Sequence, residues 1–344
     1  MKVLVTGGCG FLGSHICELF RSKDWDVVAY DNLTKYELER TGYQVDASRR
    51  HNVDFLSSIG VTIAVEDVRD GSALGRHADG VDFIAHTAAQ PAMTISWEDP
   101  RMDFESNAGG TFNVLEAARA RGIPVASCST IHTYGTGIND EIHENDTRYV
   151  RHPAEIPESH AVLTGRLTPL HASKYAAEVY VRTYAETYGL KAASFRYTGI
   201  YGPRQFGAED HGWAANFVIR NLTRRAIRIF GTGKQTRDIL YAGDAAQAFW
   251  DFAQHPVAGV YNIGGGLENA ISLLESIRLI ESVTGRPSEV MFEPERPGDL
   301  RYFVSNIEKA RQTFGFQPKV RPLEGITELA RWAEANLQMF AAPV

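Results

Sequence analysis

Cysteine is scarce in this chain, and long hydrophobic runs are missing. The 344 residues include three cysteines, Cys9, Cys17 and Cys128, and no Cys-x-x-Cys pair. An odd number without such a pair excludes a disulfide framework and a cysteine-based zinc centre, and we expect no metal site. No apolar stretch approaches the ~18 residues that a membrane-spanning helix requires. Because the first residues, MKVLVTGG, also lack the pattern of a secretory signal, we expect a cytoplasmic protein with no membrane partner.

Positive charge is also in short supply. Lysine and arginine total 35 against 42 aspartate and glutamate residues, which gives a formal net charge of -7. This balance argues against a surface built to bind nucleic acid, so we expect no nucleic-acid partner. The 44% hydrophobic and 22% charged content is that of an ordinary globular chain. A chain of this length predicts about two domains.

Short β-branched runs alternate with helix-period segments over roughly the first 200 residues. This alternation is typical of βαβ units, in which helices cover both faces of a parallel sheet. We therefore predict an α/β fold with a Rossmann-type doubly wound parallel sheet and a smaller C-terminal lobe. The predicted strands are 2–6, 26–30, 61–65, 81–85, 124–127 and 192–195, and the predicted helices are 11–20, 107–120 and 173–188.

The pattern changes after residue 201, where shorter elements are separated by glycine and proline. We predict one domain over 1–200 and a lobe over 201–344, with the segment 244–254 able to return to the main sheet and a final amphipathic helix over 323–339. Residues 139–168 form a long polar connection. Long connections inside a compact domain are often functional loops.

A glycine-rich turn follows the first predicted strand. In TGGCGFLG (residues 6–13), the glycines at 7, 10 and 13 allow a tight turn, close approach of the backbone to a pyrophosphate, and close helix packing. Asp31 follows the second strand, where a carboxylate can accept hydrogen bonds from a ribose diol. A 2'-phosphate would meet this negative charge, so the sequence favours NAD over NADP.

The spacing GxxGxxG resembles the extended short-chain dehydrogenase/reductase family, which includes NAD-dependent epimerases and dehydratases. The segments EDV (66–68), HTAA (86–89), Asn107 with GGT (109–111), and RYTGIYGPR (196–204) extend the resemblance over most of the chain. The resemblance implies NAD as cofactor and a C-terminal lobe that binds substrate. It assigns cofactor contacts to Gly7, Gly10, Phe11, Leu12, Asp31, Asn32, Asp67, Val68, Ala88, Ala89, Gln90, Asn107, Lys174 and Tyr197.

Within the family, the likeness is strongest to the CDP-tyvelose (CDP-paratose) 2-epimerases. It rests on QPAMTIS (90–96), MDFE (102–105), NDTRY (145–149), GPRQF (202–206), DHGW (210–213) and GTGKQTRD (231–238). The resemblance implies epimerisation of a nucleotide-linked sugar through a transient ketone. It also implies a homodimer or homotetramer that pairs through helices 107–121 and 173–188. The implied substrate contacts are Thr94, Thr130, Thr198, Arg204, Gln205, Gln235, Arg237 and Arg301.

The base that such a reaction needs is missing from its usual place. Family members use a tyrosine four residues before a lysine, a spacing that puts both on one face of a helix. In TPLHASK (168–174) the lysine is Lys174, but the residue four before it is Leu170. Thr130, in CSTIHTYG (128–135), matches the family's catalytic serine or threonine. Leucine can neither titrate nor form a hydrogen bond.

Three explanations for the missing tyrosine remain open. First, another group replaces the phenol: His132 shares the strand parity of Thr130, His171 lies beside Leu170, and Cys128 also shares the parity of Thr130, although a buried inert thiol is the simpler interpretation. Second, water or a group on the long loop takes the proton, with Glu155, Glu158 and His160 as candidates. Third, the protein is a catalytically silent NAD or nucleotide binder, or a variant altered to trap substrate.

Dehydration of a sugar nucleotide or nucleoside is the main alternative to epimerisation. By resemblance, the 4,6-dehydratases carry an Asp-Glu pair directly after the threonine. Here Ile131 and His132 occupy these positions, so the paired carboxylates that elimination uses are absent. We therefore predict an epimerase in which an atypical base replaces tyrosine.

Overall fold

The computed structural model describes residues 1–34, 38, 41–209 and 211–340. Its strands are β1 Lys2–Thr6, β2 Asp26–Asp31, β3 Thr62–Val65, β4 Phe83–His86, β5 Val125–Thr130, β6 Ile142–Glu144, β7 Tyr149–Arg151, β8 Ala192–Tyr197, β9 Ile200–Tyr201, β10 Ile227–Phe230, β11 Thr236–Asp238, β12 Leu240–Tyr241, β13 Gly259–Ile263, β14 Ala270–Ser272, β15 Val290–Glu293 and β16 Tyr302–Phe303. Its α-helices are α1 Phe11–Ser22, α2 Val45–Ser58, α3 Gly71–His77, α4 Met93–Glu98, α5 Pro100–Phe104, α6 Gly110–Arg119, α7 Pro169–Tyr188, α8 Trp213–Leu222, α9 Ala242–Gln254, α10 Leu273–Thr284, α11 Glu308–Phe314 and α12 Pro322–Ala335.

The largest sheet has seven strands in the order β13-β8-β5-β4-β1-β2-β3. Every neighbouring pair in it is parallel. The chain begins in β1 and winds outward in one direction to β3 and in the other to β13, which confirms the predicted doubly wound parallel sheet. In such sheets the carboxyl ends of the strands border a crevice at the point where the winding reverses, here between β1 and β4.

Side-chain alternation along the strands divides the core between the two faces of this sheet. Val3 and Val5 of β1 belong to an apolar cluster that includes Ile16 and Phe20 of α1 and Phe249 of α9. Leu4, which lies between these two valines, points to the other face and belongs to a second cluster with side chains of α3, α6 and α7. Helices therefore cover both faces, as the continuous apolar strands require.

The C-terminal part of the chain forms smaller sheets around a separate apolar cluster. Residues of α8, α10 and α12 meet in this cluster, beside the β10–β15 pair and the β14-β11-β16 sheet. However, β13 and α9 lie past residue 200 and yet belong to the layers of the large sheet, with α9 against α1. The division into 1–200 and 201–344 stays a prediction.

Some local structure differs from the sequence prediction. The predicted helix 107–120 begins with a π-helical turn at Glu105–Gly109 before α6. Helix α7 begins at Pro169, earlier than predicted, because Pro169 occupies its first turn and Thr168 and His171 form a capping box. The predicted helix 323–339 ends at residue 335 and is followed by a 3₁₀ turn.

The long polar connection over 139–168 is partly structured. It contains the β6–β7 hairpin, and Arg148 next to this hairpin donates hydrogen bonds to Glu275 at the start of α10. The connection is therefore fastened to the C-terminal lobe. Across the residues that the structure describes, no helix is both long enough and apolar enough to cross a membrane.

Candidate active site

A cavity of about 580 Å³ lies along the carboxyl ends of β1, β2, β4, β5 and β8. One end is lined by the glycine-rich turn, and the other by residues of β10, β11 and the loop before β16. The predicted site residues that line it are Gly7, Gly10, Phe11, Leu12, Asp31, Asn32, Asp67, Val68, Ala88, Ala89, Gln90, Thr94, Thr130, His132, Lys174, Tyr197, Thr198, Arg204, Gln205, Gln235 and Arg237. Asn107, His171 and Arg301 do not line it.

The glycine-rich turn has no room for side chains. Gly7 has φ +68°, and a Cβ there would lie 2.7 Å from the backbone nitrogen of Ala88. A Cβ on Gly13 would lie 2.0 Å from the carbonyl oxygen of Gly7. Helix α1 begins directly after Gly10 with no side-chain cap, so its first N–H groups remain available to an anion.

Two carboxylates, one at the end of β2 and one just after β3, line the end of the cavity that contains the glycine-rich turn. The Asp31 carboxylate accepts hydrogen bonds from the backbone N–H groups of Cys9 (3.0 Å) and Leu33 (2.8 Å), which fix its orientation beside the turn. The Asn32 amide donates to Asp67 at 2.9 Å. The hydrogen bond from the Arg69 guanidinium lowers the pKa of Asp67 to about 2, so this carboxylate is ionised at neutral pH.

Asn107 lies outside the cavity lining and forms hydrogen bonds to the backbone of a residue that lines it. Its side-chain oxygen accepts the N–H of Gln90 at 2.9 Å, and its amide nitrogen donates to the Gln90 carbonyl at 3.2 Å and to Asp103 at 3.0 Å. Asn107 is 1% exposed and lies in the π-helical turn. Asn107 thus supports the backbone that follows β4, and the cofactor contact predicted for it stays a prediction.

One corner of the cavity brings together Thr130, Leu170 and Lys174. Thr130 ends β5, and the other two lie one turn apart on α7. The Lys174 ammonium nitrogen donates to the Cys128 carbonyl at 3.2 Å, and burial holds the Lys174 pKa below its usual range. Leu170, at the position where the resemblance predicts a tyrosine, is buried at this corner, but it belongs to none of the large apolar clusters.

The two predicted histidines lie together, but only one reaches the cavity. His132 lines it from the 3₁₀ turn after β5, and its ring centroid is 5.4 Å from that of His171. The Thr168 N–H donates to Nδ1 of His171 at 2.9 Å, so His171 serves as the cap of α7. Burial lowers the pKa of His132 to about 3, with smaller contributions from His171 and Arg237, and burial lowers that of His171 to about 4. Both rings are therefore neutral at neutral pH.

Of the other four groups considered as bases, three lie outside the cavity lining and one, Cys128, belongs to it. Glu155, Glu158 and His160 of the long loop do not line the cavity. Glu158 accepts the N–H of Asn262 at 2.7 Å. Cys128 does line the cavity, but burial raises the pKa of its thiol, which keeps it protonated.

Arginines at the far end of the cavity differ from the predicted pair. Arg237 lines the cavity and donates to the Thr236 carbonyl at 2.8 Å. Arg301 lies outside and makes two hydrogen bonds, 2.8 and 2.6 Å, to the carboxylate of Glu295. Arg296, which sequence reasoning missed, lines the cavity with its guanidinium carbon 3.6 Å from the ring centroid of Phe230. The turn at Gly298 that follows Arg296 was the available signal.

The other predicted substrate contacts differ in whether the polar atoms of their side chains already have hydrogen-bond partners. Gln205 and Gln235 line the cavity, and each has a buried side-chain oxygen with no hydrogen-bond partner in the described parts of the chain. The Arg204 guanidinium instead binds Glu18 (2.5 Å) and His15 (2.9 Å) of α1, so its charge is already paired. Thr94, Tyr197 and Thr198 also line the cavity, and the Thr198 hydroxyl donates to Asp238. Asp210 of the predicted DHGW segment lies outside the described residues.

Comparison with known proteins agrees with this arrangement. The model of the "NAD dependent epimerase/dehydratase family" matches residues 3–264. CDP-paratose 2-epimerase from Salmonella typhi is 34% identical over 350 residues, covering 97% of this chain and 100% of that protein. The chain belongs to the NAD-dependent epimerase/dehydratase family.

Two solved structures of family members share the whole fold. UDP-glucose 4-epimerase from Thermus thermophilus, solved with NAD, is 32% identical, with a TM-score of 0.79 and coverage of 96% of this chain and 98% of that one. UDP-glucose 4-epimerase from Thermotoga maritima, solved with UDP-glucose, is 27% identical, with a TM-score of 0.80 and coverage of 98% and 100%. The chain is therefore an enzyme of this family, and its cofactor is NAD.

The residues present fit NAD. The turn at Gly7 and Gly13 leaves the backbone bare where a Cβ would collide, the uncapped start of α1 suits a pyrophosphate, and the fixed carboxylate of Asp31 suits a ribose diol. Within the part of the chain that the structure describes, no group of three or more metal-ligating side chains comes together.

Proposed function

We propose that this enzyme epimerises a nucleotide-linked sugar through a transient ketone, and that the reaction occurs at C2 of a CDP-linked sugar. The observation that carries the proposal is one continuous cavity. In it, Thr130 and Lys174 stand between the glycine-rich turn and the arginines Arg237 and Arg296. Similarity to CDP-paratose 2-epimerase over 97% of the chain supports the choice of sugar nucleotide.

The two ends of the cavity have separate tasks in this proposal. The glycine-rich turn and Asp31 hold NAD, which when bound supplies the capacity to take and return the hydrogen and two electrons of a carbon–hydrogen bond. Arg237 and Arg296 bind the diphosphate of the substrate, since planar guanidinium groups suit phosphate oxygens. The unpartnered oxygens of Gln205 and Gln235 accept hydrogen bonds from the sugar or the base.

Anchoring the diphosphate also explains how the configuration can change. With the nucleotide fixed to the C-terminal lobe, the sugar ring is the part of the substrate that can turn while it is a ketone. Return of the hydrogen to the opposite face then gives the epimer. Thr130 donates or accepts a hydrogen bond at the reacting oxygen in both steps.

Removal of the hydroxyl proton needs a group other than Leu170. Three side chains that line the cavity have a nitrogen able to accept it, His132, His211 and Lys174. His132 and Lys174 lie at the corner with Thr130 and Leu170, whereas His211 lies in the loop before α8. His171 lies behind His132 and is committed to the cap of α7. An amine or imidazole therefore replaces the phenol that the family uses.

The decisive experiment follows the fate of hydrogen. We expect the purified protein to release NAD on denaturation and to convert CDP-paratose, in a panel with UDP-glucose and UDP-glucuronic acid, to its 2-epimer without added reductant. In D₂O the product should contain no carbon-bound deuterium, because the hydrogen returns from the cofactor. NMR and mass spectrometry check both points.

Other outcomes would identify the alternatives. Loss of one water from the substrate would indicate a dehydratase, despite the absence of an Asp-Glu pair after Thr130. NAD release with no conversion of any panel member would favour a silent binder. Deuterium at the epimerised carbon would contradict the transient-ketone route with hydrogen return.

We also propose that the chain forms a homodimer through α6 and α7. Large apolar side chains are exposed on this face, including Phe112 of α6 and Tyr180 of α7, whose rings meet at 5.8 Å. Sedimentation analysis should give a dimer or a tetramer, and Phe112→Glu with Tyr180→Glu should shift it toward monomer. The matched change Met291→Glu, at another exposed apolar residue, should leave the assembly intact.

A further inference from the structure

We propose that Lys174 is the base that takes the hydroxyl proton in this enzyme. The inference rests on the proposed function and concerns the corner where Lys174 lines the cavity one helical turn after Leu170. Among the residues that the structure describes, its nitrogen has one hydrogen-bond partner, the Cys128 carbonyl.

The position of Lys174 is fixed by its helix. Helix α7 begins at Pro169, and the capping box of Thr168 and His171 holds its first turn. Residues four apart lie on the same helical face, so Leu170 and Lys174 both face the cavity beside Thr130. A leucine at this place offers the lysine neither a hydrogen bond nor a negative charge.

The charges around Lys174 do not compensate for its burial. Within the described residues it forms no ion pair. The groups that face it are the Cys128 thiol of β5, His86 of β4 and Asp103 of α5. Burial raises the pKa of Cys128 and lowers that of His86 to about 3, so both are uncharged at neutral pH.

Asp103 is the one carboxyl among these groups, and it is engaged elsewhere. One of its oxygens accepts hydrogen bonds from Gln90 (2.9 Å) and Asn107 (3.0 Å), and burial raises its pKa. Burial therefore dominates at Lys174 and favours the neutral amine. A bound cofactor with a cationic nicotinamide would shift the equilibrium further in the same direction.

His132, whose backbone N–H donates a hydrogen bond to Thr130, is a weaker candidate for the base than Lys174. General bases work best with a pKa near the working pH. Burial, together with the Arg237 guanidinium, moves the pKa of His132 away from neutrality, to about 3, whereas burial moves that of Lys174 from its high ordinary value toward neutrality. His132 also lies toward Arg237, on the side proposed for the diphosphate.

The proton and electron balance of the step is complete. The substrate hydroxyl gives its proton to the lone pair of Nζ, which becomes an ammonium group. The electron pair of the O–H bond forms the second C–O bond, and the carbon-bound hydrogen leaves with two electrons for the oxidised nicotinamide cofactor. On the return, the ammonium group gives the proton back to the oxygen.

The first test measures the titration of Lys174 directly. The NAD-loaded protein is labelled with trace acetic anhydride from pH 6 to 11, and the acetylation of each lysine is quantified by mass spectrometry. Exposed Lys191 is the internal reference. We expect the labelling midpoint for Lys174 to lie below that for Lys191, because burial favours the neutral amine. Equal midpoints would overturn the proposal.

A matched pair of variants tests the role of the leucine. In Leu170→Tyr, a phenolate beside the amine would stabilise the ammonium and raise the labelling midpoint of Lys174. Leu170→Phe has the same ring without the hydroxyl and should leave the midpoint unchanged. A midpoint that moves equally in both variants would contradict the charge argument.

Activity provides the second readout. A guanidinium stays protonated in proteins, so Lys174→Arg should lower kcat by about 10²–10⁴-fold while NAD remains bound. In the native enzyme kcat/KM should rise with pH through the labelling midpoint of Lys174, and His132→Asn should keep that rising limb. Lys191→Arg should match the native enzyme.

The outcomes separate this inference from the proposed function. A Lys174→Arg enzyme within tenfold of native activity, or a His132→Asn enzyme that loses the rising limb, would overturn the role of Lys174. A protein that converts no sugar nucleotide would overturn the proposed function, and the labelling midpoints would still decide whether Lys174 titrates as the inference requires.

Discussion

The two ends of the cavity are specified in different ways. At the cofactor end, backbone geometry determines the shape of the cavity. Gly7 and Gly13 leave no room for side chains, and Gly10 leaves the start of α1 without a side-chain cap. At the substrate end, side chains do the work, and their direction decides which of them take part. Arg296 and Arg301 are five residues apart, yet only Arg296 lines the cavity. Backbone requirements limit the choice of residue type, whereas side-chain direction depends on the fold around it.

The largest effect should come from breaking the backbone geometry at the cofactor end. Gly13→Ala places a Cβ 2.0 Å from the Gly7 carbonyl oxygen, a collision of the new side chain with backbone that only a movement of the turn can relieve. We expect the purified variant to lose its bound NAD and to be destabilised by about 1–3 kcal/mol. Cofactor release on denaturation and thermal unfolding measure the two effects.

Gly75→Ala is the control for this change. Gly75 lies within α3, and a Cβ there would meet no atom within 4 Å. Because alanine favours a helix by about 1 kcal/mol over glycine, this variant should keep its NAD and unfold at an equal or higher temperature. Retention of NAD by Gly13→Ala would show that the turn tolerates rearrangement and would remove the contrast between the two ends.

A smaller effect should separate the two arginines at the substrate end. Arg296→Ala removes a guanidinium that lines the cavity, and loss of a charged hydrogen bond to the diphosphate should raise KM about 10–100-fold. Arg301→Ala removes a half-exposed ion pair with Glu295, which contributes little, so KM should stay within about twofold. Steady-state kinetics with one sugar nucleotide decide the point. Equal losses in the two variants would mean that Arg301 reaches the substrate.

Regular alternation made much of the fold readable from sequence. All six predicted strands lie in the seven-stranded sheet, because buried parallel strands are continuous apolar runs between helices. The seventh, β13, was missed, since Gly259–Ile263 contains a glycine and an asparagine and follows a long excursion through the lobe. Strand β5 extends to Thr130 although its last residues are polar, because β8 pairs with it along this length.

The positions of site residues could be predicted from the sequence where a motif constrains the backbone. They could not be predicted where a side chain's partner is distant in sequence. The positions of Gly7, Asp31, Thr130 and Lys174 at one cavity follow from their places at strand ends and on α7. The pairing of Arg204 with Glu18 could not be predicted, because 186 residues separate them.

The capping box of α7 has a consequence for how this enzyme can change its chemistry. His171 fastens the first turn of the helix, and the neighbouring Leu170 contributes to the cavity wall without joining an apolar cluster. Residue 170 thus takes no part in the hydrogen bonds that hold the start of the helix or in the large apolar clusters. A single codon change at this position can therefore bring a proton-accepting side chain into the cavity wall while the capping box stays as it is.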